Sequence, residues 1–392
     1  MGNERINILF TIASFYSLDR QIGGGEVHLL SLIGKLDREK YNIFVVYPGR
    51  GPFEDLLKDK PVNPLLVKNL RGKYEVFSIF ALMRLIKMHN IKIVHSYDPK
   101  SAFVAMIAAR LLNVPAKIST LHLPFFTPYW KERGVKYIRD LIRYQRDTIV
   151  TRLADRIIAV SEEIREEKIL RQHVLPEKVV TVLNGVDSDI FSPEHGDADF
   201  IFQKFEIPAG TPTIGIVARF EPHKGHTCLL EAMPIVISEV PSALLLIVGE
   251  GYYEPELRKA LQSHHLEKHV IFTGFQKDIP KVLSGLNLVV LPSRYESTNL
   301  SLIEAMLMEK PVIASSIPSH SQMIQNGVNG YLVTPGDVKG LANAIISLLK
   351  NDELSKTLGK KGREIALQKF TLNRMAEETE KVYDDLLREL KK

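Results

Sequence analysis

LNLVVLPSRYESTNLSLIEAML, residues Leu286 to Leu307, reads as a strand, a turn and a helix in sequence. LVVLPS is a short β-branched run that supplies the strand, RYESTN is the turn, and the helix begins near Leu300. Two glutamates, Glu296 and Glu304, flank Ser-Thr-Asn where the strand becomes the helix. Ser301 and Glu304 fit the S-x-x-E capping box, which would only close a helix end. That reading gives Glu296 no role.

The same unit recurs along the chain. In the first half, INILFTI, NIFVVYP, IKIVHSY, AKISTLH, RIIAVS and KVVTVLN are strand candidates, with helical patterns such as VHLLSLIGKL and VFSIFALMRLIKMH between them. In the second half, TIGIVAR, ALLLIVGE, HVIFTG, LNLVVLPS, KPVIASS and GYLVTP repeat the pattern. Strands alternating with helices imply a parallel sheet wrapped by helices. NGVDSDIFSPEHGDADF, between the halves, has a linker composition, so a boundary is expected near residues 186–210. The fold class is α/β, with two doubly wound, Rossmann-like domains over residues 1–190 and 191–370. A last helical pattern from Leu372 to Leu390 belongs to a segment at 371–392. In such sheets ligands bind beyond the carboxyl ends of the strands, so functional residues should follow strands in both halves.

Composition narrows the class. The 392 residues are 45% hydrophobic and 25% charged, as in an ordinary globular protein, and suffice for two domains. A single cysteine, Cys228, excludes an internal disulfide and suits a reducing compartment. The formal charge of +5 permits anionic partners without requiring one. MGNERINILFTI lacks the order of a signal peptide, and Arg110 interrupts SAFVAMIAARLLNV before it reaches membrane-spanning length. A cytoplasmic protein is expected. No basic tail or nucleic-acid-binding module is present, so no nucleic acid is expected.

Candidate residues follow the strands. Gly23, Gly24 and Gly25 precede a helix and could let backbone amides approach an anion, or could only serve a loop. The third glycine of a dinucleotide fingerprint is missing there and in GEGYYEPEL, and the second strand ends without an acid. His95 and His122 each end a strand, and together with the glycine loop they form a candidate catalytic edge. Arg219 and Lys224 follow the first strand of the second half. They could hold a diphosphate, the arginine bidentately and the lysine as a point charge, or could be solvated surface cations. No P-loop motif occurs. Asp187-Ser188-Asp189 reads as a turn rather than a metal site. Around Glu296 every part of a sugar nucleotide would find a partner: a loop carboxylate for sugar hydroxyls, helix amides for phosphate, and Glu304 for a ribose.

With those residues in hand, the chain resembles the retaining GT-B glycosyltransferases of family 4, also called glycosyl transferases group 1. YESTNLSLIEAML resembles the family's E-x7-E motif, NGVDSDIF its interdomain segment, and ARFEPHKG its R-x-x-x-x-K-G clamp. The likeness covers essentially the whole chain, is specific over residues 184–337 and is loose before 160. It implies two Rossmann-like domains facing a central cleft, the first for the acceptor and the second for a nucleotide-sugar donor, a UDP- or GDP-sugar. The last helix would cross back to the first domain. Arg219 and Lys224 would bind the donor diphosphate and do a metal's work, so neither metal nor cofactor is expected. Glu304 would bind the ribose and Glu296 the transferred sugar. Amides of Thr298, Asn299 and Leu300 would hold phosphate, and the base would lie near Gly274 and Phe275. His122 would meet the sugar or acceptor, and Gly24 would approach the phosphate. Transfer would retain anomeric configuration by front-face attack, with the leaving diphosphate taking the acceptor proton. One departure stands out. Many members carry a glycine-rich turn after the first glutamate, where this chain has Ser297-Thr298-Asn299, so their donor identity does not carry over.

The acceptor, expected to be a glycan or a lipid-linked sugar, has less support. PYWKERGVKYIRDLIRYQRDTIVTRLADR carries an apolar stripe of Ile138, Leu141, Ile142, Ile149 and Leu153. Lys131, Arg133, Lys136, Arg139, Arg143 and Arg146 lie mostly off it. The plainer reading is a core-facing helix with a solvated face; peripheral contact with an anionic membrane is the other. Two further functions stay open: a GT-B sugar-nucleotide 2-epimerase, which needs no acceptor, and a sugar-nucleotide-binding partner without activity.

Overall fold

The computed structural model describes residues 5–13, 24–49, 51–67, 70, 75–122 and 137–389, with backbone alone at 24, 75 and 137–141. The chain divides into two compact units, Met1–Asn184 with Leu372–Lys392, and Gly185–Thr371. Among the described residues, the first unit holds a seven-stranded sheet of β1 (Ile6–Thr11), β2 (Tyr41–Tyr47), β3 (Asn63–Leu66), β4 (Ile93–Ser96), β5 (Ala116–Leu121), β6 (Arg156–Ala159) and β7 (Val179–Thr181). Every pairing is parallel, in the order β3-β2-β1-β4-β5-β6-β7. The inner strands are largely buried because both faces of the sheet are covered. Ile8 and Phe10 of β1 join one buried core with Ile43 and Val45 of β2, and Leu9 joins the other with Phe44 and Val46. The helix Leu372–Glu389 packs Leu372, Met375, Ala376, Tyr383 and Leu386, a 3.6-residue stripe, into the first of these cores.

The second unit repeats the plan with β8 (Thr213–Val217), β9 (Leu244–Val248), β10 (Val270–Gly274), β11 (Leu288–Leu291), β12 (Val312–Ser315) and β13 (Tyr331–Val333). Their order is β10-β9-β8-β11-β12-β13, again parallel. Ile214, Ile216, Leu245, Ile247, Leu288, Val290 and Ile313 are buried together against its helices. Fully burying such a side chain is worth about 1.5–3 kcal/mol.

Strand order reverses between β1 and β4 in one sheet, and between β8 and β11 in the other. Such a reversal opens a crevice at the carboxyl edge. In the first unit Asp98 ties that edge together: its carboxylate accepts from the Ala13 amide at 2.6 Å and from the Lys100 and Ser101 amides at 2.9 and 3.1 Å. It thereby caps the helix Pro99–Leu111.

Two expectations need correction. β3 was not anticipated: NPLL is short, carries Pro64 and lies at the sheet edge, where a strand needs no continuous apolar run. The stretch read as a linker is instead folded onto the second unit. The Val186 amide donates to the Phe370 carbonyl at 2.9 Å, the Asp197 amide to Ser284 Oγ at 2.9 Å, and Lys204 Nζ to Gln276 Oε1 at 2.6 Å. The chain therefore changes units between Asn184 and Gly185, ahead of residue 190, and again between Thr371 and Leu372. Among the described residues no helix is long and apolar enough to cross a membrane.

Candidate functional site

The second unit's site begins with a glycine. After β8 the chain passes Arg219 and a 3-10 turn, Pro222–Lys224, before the helix His226–Glu239. Gly225 joins turn to helix at φ +78°, a left-handed conformation. A Cβ there would lie 2.0 Å from the carbonyl oxygen of Pro292, in the loop after β11. Only glycine lets the two backbones come this close. The Arg294 amide donates to the His223 carbonyl at 2.7 Å and fixes the same approach.

That approach brings Lys224 to Glu296, with Nζ 2.6 Å from Oε1 and side chains only 15% and 8% exposed. Ser293 Oγ donates to the same oxygen at 3.0 Å. Burial alone would push the Glu296 carboxyl up, but the Lys224 ammonium holds it below the usual carboxylate range. Arg219, more exposed, pairs with Glu221 at 2.7 Å; the other Glu221 oxygen lies 3.3 Å from His223 Nδ1, and His223 stacks on Tyr295 with ring centroids 4.5 Å apart. Both cations predicted to grip a diphosphate are thus matched by carboxylates here.

Glu304 is different. It lies half-buried on the helix Leu300–Leu307, no described group donates to its carboxyl, and burial pushes it up to about 7. A carboxyl in that state gains from any ligand hydroxyl that hydrogen-bonds its ionised form. The capping-box reading fails on geometry: Asn299 holds the N-cap position, and Ser301 already lies within the helix. Thr298, Asn299 and Leu300 form the end of the loop and the helix start, where the first amides have no intrahelical acceptor. At the end of β10, Gly274 adopts φ +67° with open space around it, and the neighbouring Phe275 ring is 65% exposed. An exposed ring beside open backbone can take a flat base.

In the first unit His122 follows β5, its Nε2 buried without a partner. Its ring centroid lies 4.9 Å from that of His28, whose Nδ1 is also buried and unpartnered. Burial holds His122 down at about 4. His95, proposed alongside it, is a core residue: Nδ1 is 2.7 Å from Tyr383 Oη and Nε2 2.7 Å from Thr120 Oγ1, with no exposure. Gly24 starts the helix Gly24–Lys35, and Gly23 lies outside the described residues. So do Lys131, Arg133 and Lys136, and the side chains of Ile138, Arg139 and Leu141. In the described part of the helix Tyr137–Leu153, Val150 is buried and Leu153 packs on the core, while Ile142 and Ile149 are exposed. The buried face is therefore rotated from the stripe read in the sequence.

Glu221, Ser293 and His28 escaped the sequence reading. Glu221 left one signal, a carboxylate between two cations in ARFEPHKG. Ser293 and His28 left none: Ser293 meets Glu296 only because the loop folds back on itself, and His122, which His28 meets, is remote in the chain. Among the described residues no three His, Cys, Asp or Glu side chains group to hold a metal ion. Asp187 and Asp189 form a turn, the Asp189 amide donating to Asp187 Oδ1 at 3.1 Å.

Residues 197–365 match the family described as glycosyl transferases group 1, and residues 22–190 match glycosyltransferase family 4. The chain is 26% identical over 358 residues to the Escherichia coli UDP-Gal:alpha-D-GlcNAc-diphosphoundecaprenol alpha-1,3-galactosyltransferase, covering 90% of this chain and 91% of the relative. It is 27% identical over 321 residues to the Bacillus anthracis N-acetyl-alpha-D-glucosaminyl L-malate synthase, covering 81% and 80%. The crystal structure of Anabaena HepE in complex with UDP-glucose superposes with a TM-score of 0.82 at 24% identity, over 97% of this chain and 100% of that one. At that identity the match speaks for the fold.

Proposed function

This chain belongs to the glycosyl transferases group 1, and within that family we propose that it moves a hexosyl group from a nucleotide-diphosphate sugar to a hydroxyl of a glycan or lipid-linked sugar. The carrying observation is the largely buried Lys224 at the β8–β11 switch point, held by Glu296 and adjoining a helix N-terminus. Lys224 and Arg219 take the donor diphosphate, with the amides of Thr298, Asn299 and Leu300, and stabilise it as it leaves. Glu296, freed from Lys224, accepts from the transferred sugar. Glu304 accepts from the ribose. The base lies near Gly274 and Phe275, and His122 donates to or accepts from a sugar hydroxyl.

The anomeric carbon forms its bond to the acceptor oxygen on the face from which the phosphate oxygen leaves, with retention. The acceptor proton passes to the departing diphosphate. The two cations supply the charge stabilisation that a metal would otherwise give, so turnover needs no metal. The E. coli relative's name includes a diphosphoundecaprenol-linked sugar, which supports a lipid-linked acceptor. A 2-epimerase is not favoured, because the family and its named relatives are transferases.

Incubation with UDP- and GDP-hexoses and lipid-linked sugars, in EDTA, tests the reading. Nucleoside diphosphate release coupled to a product with the donor's anomeric configuration is the expected result. An isomerised nucleotide sugar without acceptor would contradict it.

A further inference from the structure

Asn299 sits in the loop between the two glutamates, only 6% exposed, and contacts a residue from the neighbouring strand's loop. Its Nδ2 lies 3.3 Å from Nε2 of His320, a fully buried residue that follows β12. The other ring nitrogen of His320, Nδ1, lies 3.0 Å from the Ser315 carbonyl oxygen.

These contacts fix each other. A carbonyl can only accept, so Nδ1 must carry the imidazole proton. Burial favours the neutral ring, which leaves Nε2 as an acceptor. It must then face the amide end of Asn299, since a carbonyl there would meet a lone pair. The carboxamide is planar, so its oxygen points away from His320. Among the described residues nothing donates to Asn299 Oδ1, and that oxygen is not among the sealed, unpartnered atoms. An oriented acceptor with spare capacity therefore stands next to Glu296.

We infer that Asn299 is a specificity residue, its Oδ1 accepting a hydrogen bond from one hydroxyl of the transferred sugar, and that His320 is the positioning residue that turns this end of the carboxamide outward. The inference rests on the proposed nucleotide-sugar transfer and deepens it by naming which side chain discriminates among hexoses. A glycine at this turn has no side chain with which to discriminate. A site built to bond a hydroxyl rejects an analogue that lacks it, because its own polar group is then left unpaired.

The test measures calorimetric affinities for UDP and GDP alone, and for their glucose, galactose and mannose conjugates. Wild type should prefer one epimer by about ten-fold or more. Asn299→Ala should keep the affinity for the free nucleoside diphosphate and lose the epimer preference. His320→Leu should lose it equally. His320→Gln, which retains an acceptor and a donor, should restore part of it. Unchanged epimer ratios in Asn299→Ala would overturn the inference, as would a parallel loss of free nucleotide affinity, which would mean that Asn299 only shapes the loop. If wild type binds none of these nucleotides, the transfer reading itself falls and takes the inference with it.

Discussion

Beyond β5 in the first unit stands His122, neutral, partnerless at Nε2 and surrounded by His28, Tyr97 and the buried His95. Beyond β11 in the second stands Glu296, ionised against Lys224, with Arg219 and Glu221 paired nearby. Both edges are the carboxyl ends of parallel sheets whose order reverses beside them. One is lined by neutral hydrogen-bonding rings and the other by matched charges. A polyanion can exchange with carboxylates on cations, whereas uncharged rings suit hydroxyls. The shared winding decides where each site stands, and the local side chains decide what it can bind.

The contrast is broken most directly at Lys224. Lys224→Ala should lower kcat/KM for transfer by about 10²–10³-fold, as removal of a transition-state charge partner does. It should also leave Glu296 as an unpaired buried charge, and losing one partner of a buried pair costs about 3–5 kcal/mol. Adding Glu296→Gln should recover much of that stability without recovering turnover, which separates the two roles. His122→Ala should lower turnover by a smaller factor, on the order of ten-fold, and leave nucleotide affinity alone.

Gly225→Ala tests what brings the second edge together. The left-handed φ and the Pro292 carbonyl both oppose a Cβ, so unfolding in urea should show a loss of about 2 kcal/mol or more.

Protons sharpen the comparison further. Glu304 has a raised pKa of about 7, so the stability tied to its protonated form is full at pH values below about 4.5 and is lost as pH rises through 7. Glu304→Gln should remove that loss. Ribose hydroxyls favour the ionised carboxyl, so donor binding below pH 7 should release a proton from wild type but not from Glu304→Gln, readable by calorimetry in two buffers. In the first unit the sign reverses. His95 and His122 are held near 3 and 4, so the folded state resists their protonation and stability falls as pH drops from about 6.5 through those values. His95→Gln should flatten part of that slope in acid unfolding curves. The smallest effect concerns Ile142 and Ile149, exposed beside basic residues. Replacing both by Ser should weaken sedimentation with anionic vesicles about several-fold if the helix meets a membrane, and leave it unchanged if it does not.

Most of the architecture was legible because buried parallel strands are short β-branched runs, and every strand except β3 has one. β3 was hidden because an edge strand need not be apolar. The motif residues Arg219, Lys224, Glu296 and Glu304 were legible by spacing, and the geometry brings Lys224 to Glu296. The partners were not legible. Ser293 is close to Glu296 in sequence, but its role depends on how the loop folds back; His320 reaches Asn299 only because β11 and β12 are neighbours. His95 and His122 look alike in sequence, each ending a strand. What separates them is Tyr383, 288 residues from His95 along the chain, whose hydroxyl fills a ring nitrogen of His95.

The most direct measurement is a thermal-shift panel of UDP-, GDP- and ADP-sugars on wild type and on Lys224→Ala. A ligand at 100 times its dissociation constant stabilises the folded protein by about 2.7 kcal/mol. The expected result is that one nucleotide class raises the melting temperature of wild type and that Lys224→Ala, still folded, loses the rise. A rise that survives intact in Lys224→Ala would contradict the assignment of the diphosphate to the second unit's charged edge.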